Sequence, residues 1–390
     1  MKSTTNNSAA QFMLRALGAG AFALVALQGT AMAAEPIRIG SVVSATGPAS
    51  FLGDPQQKTL EQYVEKINAD GGVLGRKLEL VLYDDNSAAG KANAFAKRLL
   101  LQDKVDIVLG PSTTGSTMAM VPQVQSSEVP MISFAAATVI VKPVKPYVFK
   151  MPHSDTMAAQ KVLDDMKKRG ITKFALLSDT GGFGKSGHNE TLKIAKTMGM
   201  TVTEDQSYGE KDSDMTPQLT KARSSGAQAI FVFGTGQAPA IIAKNYRQLG
   251  LKVPLYMSHG QASAEFIHIA GKASEGIRMP SPALLIADKL PDSDPQKRVS
   301  MEYKQAYEGR FKQDVSTFGG YAYDGLMLAV DAIKRAGSTD KDKVRDVLEK
   351  TKNFVGVSGI YNMSASDHMG LTTDAFKMVE IHDGGFRELK

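Results

Sequence analysis

Short apolar runs alternate with amphipathic stretches along the first part of the chain after residue 34. The runs predict strands, and apolar residues spaced three or four positions apart predict helices. The predicted strands are Ile37–Val43, Leu78–Tyr83, Asp106–Leu109 and Pro130–Phe134, and the predicted helices are Gln57–Ala69, Ala88–Leu101 and Ser116–Ser126. Repeated strand–helix–strand units imply a parallel sheet covered by helices on both faces. We expect this first unit to end near Phe149.

The same pattern starts again after residue 150. The predicted strands are Lys173–Ser178, Thr201–Gln206, Ala229–Phe233 and Leu255–Met257, and the predicted helices are Thr156–Lys168, Lys185–Met198, Met215–Ser224 and Ala238–Leu249. After Asp294 the pattern is mainly helical, and the tail returns to strands. These segments are the helices Gln296–Phe311, Gly319–Ala336 and Asp340–Thr351 and the strands Gly359–Asn362 and Phe376–His382. Two doubly wound α/β lobes follow, with candidate crossings near Met151, Pro280 and Gly356.

Residues 1–33 have the features of an export signal. Lys2 and Arg15 are the only charges, Ala16–Leu27 is apolar, and Ala31–Ala33 is a small-x-small cleavage site. The apolar run is short for a membrane span, which favours a cleaved leader and a mature start at Ala34. Removing 33 of the 390 residues leaves 357, enough for two domains.

Composition narrows the class of protein further. The net charge of +6 falls to +4 without Lys2 and Arg15, and the basic residues are scattered, so we expect no nucleic-acid partner. The absence of cysteine excludes disulfides, thiolate metal sites, cysteine catalysis and a lipid-modified N-terminal cysteine. We therefore expect a monomer that is free in the periplasm.

The motifs argue against catalysis. The six histidines form no HExxH pair or metal-ligand cluster, and no GxSxG sequence is present. The pair Asp84-Asp85 is interpreted as a solvated strand end before a helix capped by Ser87. We expect no enzyme activity, no metal and no cofactor.

One segment comes close to a phosphate-binding loop. Asp179–Ser186, with the sequence DTGGFGKS, follows a strand and opens a helix. Asp179 stands where the first glycine of GxxxxGK[ST] belongs, and an acid there repels phosphate. The preferred interpretation is an ordinary turn from strand to helix.

A better candidate site is Gly110–Ser116, which has the sequence GPSTTGS. It joins a predicted strand to a predicted helix, and ligands of open parallel sheets collect beyond such strand ends. Free backbone N–H groups at the helix N-terminus, with the hydroxyls of Ser112, Thr113 and Thr114, can bind a carboxylate. Simple N-capping is the alternative. A second loop of small residues, Ser133–Thr138, favours the ligand site because it permits close approach to the main chain.

Several long segments resemble the substrate-binding proteins of branched-chain amino-acid-type ABC transporters. They are Ser44–Gly53, Ile67–Asp85, Ile269–Gly276, Ala322–Gly325 and Val379–Gly384, and the likeness extends over the chain after Ala34. The resemblance implies a type I periplasmic-binding-protein fold, with two doubly wound parallel-sheet lobes joined by three strands. The expected division is residues 34–151 plus 281–356 for lobe 1 and 152–280 plus 357–390 for lobe 2.

The resemblance also implies roles for residues in the cleft. Thr114 grips the ligand carboxylate with Thr113 beside it, the loop at residues 135–137 supplies main-chain contacts, and the second lobe adds side chains. Together with Ser112, the predicted ligand-binding residues are Phe51, Leu52, Ser112, Thr113, Thr114, Ala135, Ala136, Ala137, Phe183, Thr235, His259 and Gly260.

Two departures from the family pattern bear on the ligand. Ala137 stands where amino-acid binders often have a hydroxyl, and the loop Ser258–Gln261 lacks the usual acid. An enclosed ammonium without a counter-charge costs several kcal/mol, so we expect a carboxylate without an α-amino group. Apolar rings at Phe51 and Phe183, with His259 for a distal hydroxyl or carbonyl, favour an aromatic acid of the benzoate or cinnamate type. Phe134 is assigned to the core.

The sequence therefore predicts the solute-binding component of an ABC importer. It closes over a small carboxylate by a hinge motion and delivers it to inner-membrane permease subunits. The alternative within this class is a branched-chain or other aliphatic amino-acid binder. A third possibility is an enzyme or sensor with the same bilobal fold.

Overall fold

The computed structural model describes Met1, residues 35–209 and residues 211–389. The strands are β1 (Ile37–Val43), β2 (Leu78–Asp84), β3 (Ile107–Leu109), β4 (Met131–Ser133), β5 (Val148–Lys150), β6 (Lys173–Asp179), β7 (Thr201–Tyr208), β8 (Ala229–Phe233), β9 (Leu255–Met257), β10 (Arg278–Pro282), β11 (Phe354–Val355), β12 (Ile360–Tyr361), β13 (Phe376–His382) and β14 (Gly385–Glu388).

Helices separate most of these strands. They are α1 (Ser50–Ala69), α2 (Ala89–Leu101), α3 (Thr114–Ser127), α4 (Asp155–Lys168), α5 (Gly182–Met198), α6 (Thr216–Ser224), α7 (Ala238–Gln248), α8 (Ala264–Ala270), α9 (Pro295–Phe311), α10 (Thr317–Ala336) and α11 (Lys341–Glu349). Short 3-10 helices occur at Thr138–Ile140, His259–Gln261, Gly271–Ser274, Ala283–Lys289 and Thr373–Ala375. The predicted export signal and cleavage site lie outside the described residues.

The first sheet is parallel throughout and has the strand order β2-β1-β3-β4-β5. Its inner strands are apolar and buried, as expected for a sheet with helices on both faces. The chain order reverses between β1 and β3, which are neighbours in the sheet but are separated by β2 along the chain. A crevice beyond the carboxyl ends of the strands is expected at such a position.

The second sheet has the order β14-β13-β10-β9-β8-β6-β7. Strands β6 to β10 run parallel, β13 runs antiparallel to β10, and β14 runs antiparallel to β13. All residues of β8 are buried, so the sheet is covered on both faces there. The reversal of chain order lies between β6 and β8, so a second crevice is expected beyond these two strands.

The chain passes between the two sheets three times. It leaves the first sheet after β5, returns after β10 to pack α10 against α1, and reaches β13 after β12. Before this third passage the chain still contacts the first sheet. The Lys150 backbone N–H donates to the His368 carbonyl, and Tyr361 Oη donates to the Met151 carbonyl.

Most predicted elements are confirmed, and β1, β8, β9 and β13 have the predicted bounds. The predicted start of α1 at Gln57 was wrong, since the helix begins at Ser50 and contains Pro55. Sequence reasoning missed β5, α8, β10 and β14. Within residues 35–209 and 211–389, no helix is both long and apolar enough to cross a membrane.

Candidate ligand-binding site

A cavity of about 620 Å³ lies between the carboxyl ends of the two sheets. The loops after β1, β3 and β4 form one side, and the loops after β6, β8 and β9 form the other. The crevices expected beyond β1 and β3 and beyond β6 and β8 therefore both belong to this cavity. Helices α1, α3, α5 and α7 all begin at its wall.

The loop after β3 lies close to β1. A Cβ atom on Gly110, whose φ is +93°, would be 2.3 Å from the Val42 carbonyl oxygen, so only glycine fits there. The side chain of Thr113 caps α3 by accepting from the backbone N–H of Ser116 at 3.1 Å. The predicted N-cap is therefore real, and the loop is held rigidly against the sheet.

Thr114 is the hydroxyl residue best placed to bind a ligand. It is 5% exposed and lines the cavity, and its hydroxyl makes no side-chain hydrogen bond within the described part of the chain. Across the cavity, an ideal Cβ on Gly182 would lie 3.3 Å from the Thr114 methyl carbon. The N-termini of α3 and α5 therefore meet here. The carboxylate of Asp179 already accepts from the N–H of Gly181 at the start of α5, so it is the partial positive charge of the α3 N-terminus that favours an anion beside Thr114.

The hydroxyl of Ser112, a predicted ligand donor, already has protein partners in this structure. It lines the cavity, but its Oγ accepts from the Ser44 backbone N–H at 2.9 Å and donates to Gln56 Oε1 at 2.5 Å. A hydroxyl has one proton to donate, so a carboxylate receives none from Ser112. Ser112 instead joins the loops after β1 and β3 to α1.

Asp85 differs from the solvated strand end that we expected. Its buried carboxylate accepts from Ser44 Oγ at 2.7 Å, Ser116 Oγ at 2.6 Å and the Ser87 backbone N–H at 2.8 Å. Ser87 also does not cap α2, because its Oγ accepts from the Ala49 backbone N–H instead. Asp85 therefore fixes three cavity-lining loops relative to each other.

Asp179, at the sequence position of the first glycine of a phosphate-binding loop, is held by backbone N–H groups. One carboxylate oxygen accepts from the Gly181 backbone N–H at 2.8 Å and the other from the Thr235 backbone N–H at 3.2 Å. The side chain is 3% exposed, so an anion entering there would meet a fixed negative charge. The geometry agrees with the ordinary turn predicted for residues 179–186.

Aromatic rings form the apolar part of the wall. The ring of Phe51 contacts Phe318 at a centroid distance of 5.6 Å, and Phe183 contacts Phe233 at 5.1 Å and His259 at 5.3 Å. Phe134 belongs to the buried core, as predicted, and also lines the cavity. The cavity can therefore accept a side chain or ring with a large apolar surface.

His259 is a buried polar residue of the wall. It is 3% exposed, and burial together with the positive charge of Lys150 lowers its pKa to about 3. An interaction with the His153 backbone opposes this shift, although neither ring nitrogen of His259 has a hydrogen bond of normal geometry to another described residue. The imidazole is therefore neutral at physiological pH.

Lys150 lies directly behind the wall. Its Nζ donates to the carbonyls of two wall residues, Ala136 at 2.8 Å and Pro152 at 2.5 Å. The side chain is fully buried, and burial lowers its pKa to about 7, opposed by the charge of Asp155. Lys150 therefore gives this part of the wall a positive potential when it is protonated.

The structure brings eleven of the twelve predicted residues into the cavity wall. Ala137 is the exception, since it is fully buried behind Ala136 in the first core. Their contact with a ligand stays a prediction. Sequence reasoning missed Tyr321, Lys211 and the acids Asp179, Asp212 and Glu265, all of which line the cavity.

These acids qualify the inference drawn from the missing acid in the loop after β9. The loop Ser258–Gln261 does lack one, but Asp179 ends β6 and Glu265 lies in the first turn of α8. Both come from the side of the second sheet. Tertiary packing, and not the loop after β9, therefore brings these two acids into the cavity wall.

Comparison with known proteins identifies the family. A family model described as periplasmic binding protein matches residues 36–385. The chain belongs to this family. It is 26% identical over 374 residues to the leucine-, isoleucine-, valine-, threonine-, and alanine-binding protein of Pseudomonas aeruginosa, across 94% of this chain and 96% of that protein. It is 27% identical to the Leu/Ile/Val-binding protein homolog 3 of Brucella melitensis, across 95% of this chain and 98% of that protein.

Solved structures of periplasmic binding proteins share the architecture. An extracellular ligand-binding receptor from Rhodopseudomonas palustris HaA2 has a TM-score of 0.85 and 27% identity, covering 91% of this chain and 99% of its own. A second structure is the branched-chain amino acid transporter substrate binding protein LivJ of Streptococcus pneumoniae in complex with isoleucine. It has a TM-score of 0.80 and 25% identity, and the match covers 90% of this chain and 97% of that one. The chain is thus a type I periplasmic binding protein of the branched-chain amino-acid type, which confirms the resemblance and the fold class.

Proposed function

We propose that this periplasmic binding protein captures a small carboxylate in the cavity and delivers it to the inner-membrane permease of an ABC importer. It acts as a monomer in the periplasm after its export signal is removed. The observation that carries the proposal is the Thr114 hydroxyl at the N-terminus of α3, which makes no side-chain hydrogen bond to any residue that the structure describes. Such a place satisfies a carboxylate with neutral donors.

An α-amino acid is the first ligand class to consider. The Pseudomonas aeruginosa relative is named for leucine, isoleucine, valine, threonine and alanine, and the Brucella relative for leucine, isoleucine and valine. The acids Asp179 and Glu265 in the wall support this choice because an ammonium group needs a nearby negative charge. The predicted aromatic acid is therefore the second candidate.

One observation favours an amine-free aromatic acid. Lys150 donates to the Ala136 carbonyl, so the main-chain acceptor of the small-residue loop already faces a buried cation. An ammonium group beside it would meet repulsion, whereas the rings of Phe51, Phe183 and Phe318 suit an aromatic ligand. Only a binding experiment distinguishes the two classes.

Closure over the ligand uses the three passages between the sheets as a hinge. The proposed lobes are residues 34–151 plus 281–356 and residues 152–280 plus 357–390. The contacts of Tyr361 and His368 with the first sheet support moving the last lobe boundary, proposed after residue 356, toward Phe376. Closing the hinge completes the wall, because ligand contacts come from both sides of the cavity.

A thermal-shift comparison of matched acids and amides tests the proposal. The probes are leucine against leucinamide and benzoate against benzamide, because each pair differs in the carboxylate. A ligand that binds the folded protein raises the unfolding temperature as its concentration exceeds its Kd. We expect a rise with the acid and not the amide of one pair, which also identifies the ligand class. Equal shifts for acid and amide in both pairs, or no shift with either acid, would contradict the proposal.

A further inference from the structure

A second cavity lies beside the ligand cavity and is also built from both sides of the molecule. Its volume is about 1020 Å³, and Ser50, Phe51 and Glu265 belong to both linings. The start of α1 and the segment from the end of α9 to the start of α10 form one side, and the start of α8 forms the other. We call this cavity, which is lined mainly within residues 50–55, 263–268 and 307–316, the side groove.

Contacts between the two sides separate the side groove from the ligand cavity. The ring of Phe51 packs against Phe318, which lines the ligand cavity and not the groove. Thr317 Oγ1 donates to the Ala262 carbonyl at 3.0 Å and so joins the start of α10 to the loop before α8. The groove lining does not include Thr114. A molecule in the groove would therefore occupy a different place from the carboxylate proposed beside Thr114.

Tyr307 is a buried polar residue of the groove lining. It is 1% exposed, and its hydroxyl makes no hydrogen bond with any residue that the structure describes. The hydroxyl oxygen keeps accessible surface, unlike the enclosed hydroxyl of Tyr321. Burial and the negative charge of Asp54 raise the pKa of Tyr307, so the group is neutral. A buried hydroxyl without a partner is costly, which indicates that a molecule in the groove supplies the missing hydrogen bond.

The charged side chains of the groove are mainly acidic. Four carboxylates line it, and they are Asp54, Glu265, Glu308 and Asp314. Lys58 pairs with Asp54 at 2.6 Å, and Lys304 pairs with Glu308 at 2.5 Å. Glu265 and Asp314 make no salt bridge within the part of the chain that the structure describes, and neither does Lys312, the one lysine of the described lining. Two carboxylates of the groove are therefore free to pair with a cation.

The two free carboxylates come from opposite sides of the molecule. Asp314 lies between α9 and α10, and Glu265 lies in the first turn of α8. Like charges that face one groove repel each other when its sides approach, and a cation between them removes this repulsion. The Tyr307 hydroxyl can accept from an N–H of the same cation, close to the charge of Asp54. The arrangement suits a molecule with two positive groups and is unfavourable for an anion.

We propose that the side groove is a second binding site, which takes a small organic cation with two ammonium or guanidinium groups. Glu265 and Asp314 bind the charged groups, and the Tyr307 hydroxyl accepts from an N–H. The site exists whether or not the ligand cavity takes a carboxylate. Because the cation joins the same two sides that close over the ligand cavity, the cation and the transported ligand should each strengthen the binding of the other.

Calorimetry with the full-length protein tests the site directly. The probes are putrescine, which has two ammonium groups, and agmatine, which has an ammonium and a guanidinium group, and 1,4-butanediol is the uncharged control. We expect saturable binding of at least one dication and none of the diol. Tyr307→Phe should weaken this binding at least about tenfold, because a buried hydrogen bond to a charged group is lost. Asp314→Asn should weaken it about threefold, as for an exposed ion pair.

Two control variants lie outside both cavities. Tyr83→Phe also removes a tyrosine hydroxyl, and Asp292→Asn also neutralises an exposed acid, and both should bind the dication like the unsubstituted protein. The exposed position of Asp314 covers the case in which Tyr307→Phe does not fold. If no dication binds, or if Tyr307→Phe and Asp314→Asn bind it as tightly as the control variants do, the site is refuted.

A competition experiment separates the side groove from the ligand cavity. The acid that binds best in the thermal-shift comparison should bind at least about fivefold more tightly when the dication is saturating. Weaker binding of the acid would place the dication in the ligand cavity and refute the groove, while carboxylate capture stands. An unchanged affinity would refute the joining of the two sides. Binding of the dication needs no acid, so a failure of carboxylate capture leaves the direct test intact.

Discussion

Neighbouring hydroxyl groups in the loop after β3 have different roles because they have different partners. The hydroxyl proton of Ser112 goes to Gln56, and Thr113 caps α3, whereas the Thr114 hydroxyl has no partner in the described residues. The sequence alone treats the three as equivalent donors, because partner choice depends on residues more than fifty positions away. The distinction supports the proposed binding of the carboxylate by Thr114.

Thr114→Val tests this assignment because valine keeps the shape of threonine and lacks the hydroxyl. Losing a hydrogen bond to a charged group should weaken carboxylate binding by about 1–3 kcal/mol, measured by calorimetry. The control is Thr197→Val, since Thr197 is exposed on α5 and bonds only the Lys193 carbonyl. Equal affinities of Thr114→Val and the unsubstituted protein would remove Thr114 from the site.

Lys150 predicts a dependence of stability on pH. Its pKa falls from 10.5 in the unfolded chain to about 7 in the folded protein, because burial disfavours the charge. Between these values the unfolded chain binds more protons, so the free energy of unfolding should rise with pH. Below the pKa of the folded state, Lys150 is protonated in both states, so it causes no further change of the free energy of unfolding with pH.

Urea unfolding at several pH values between about 6 and 10 measures this effect. The rise should be present in the unsubstituted protein and reduced in Lys150→Met, which cannot titrate there. The exposed Lys97→Met is the control and should show the full rise. Parallel curves for Lys150→Met and the unsubstituted protein would contradict the role given to Lys150.

At the scale of elements, the sequence predicts the strands and helices whose hydrophobic periodicity is contained in their own residues. The continuous apolar strand β8 and the predicted helices of both lobes follow from periodicity. By contrast, β10 contains Pro280 and Pro282, which argue against a strand within a sheet, and only its pairing with β13 and β9 makes it one. The wall residues Asp179 and Tyr321 were missed for a related reason, because only tertiary packing brings them to the cavity.

The start of α1 provides an element-scale prediction. A Cβ on Gly53 would lie 2.1 Å from the Ser44 carbonyl carbon, so Gly53→Ala must push the first turn of α1 away from the loop after β1. We expect a loss of about 1–3 kcal/mol in the free energy of unfolding, with weaker ligand binding because Phe51 and Leu52 move. Denaturant unfolding and calorimetry measure the two effects.

Gly90→Ala is the matched control for that substitution. Gly90 lies in α2 and a Cβ there would have no neighbour within 4 Å, so alanine should stabilise the protein by about 0.5–1 kcal/mol. If Gly53→Ala were as stable as Gly90→Ala, the close approach of α1 to the loop after β1 would not matter for the fold.

At the scale of the whole molecule, one parallel sheet and one mixed sheet face the same cavity, and three passages of the chain connect them. The meeting of Thr114 with Gly182 across the cavity shows that the two sides touch in this conformation. A binding protein that closes by a hinge needs such complementary surfaces, because only contacts made in the closed form shift the equilibrium toward it.

A large side chain introduced between the two sides of the cavity tests whether ligand binding requires closure. Gly182→Leu places a large side chain against Thr114, and it should hold the sides apart and weaken ligand binding at least about tenfold. X-ray scattering in solution should show compaction by ligand in the unsubstituted protein and less in the variant. Gly309→Leu, in an open position on α9, should behave like the unsubstituted protein. Full affinity in Gly182→Leu would show that closure at this contact is not required.

The most direct test of the account is a crystal structure with the best-bound acid of the thermal-shift comparison. The account predicts the ligand carboxylate at the N-terminus of α3, within hydrogen-bonding distance of Thr114 Oγ1 and of backbone N–H groups at that helix end. A carboxylate paired with Lys211, or a ligand bound outside this cavity, would contradict it.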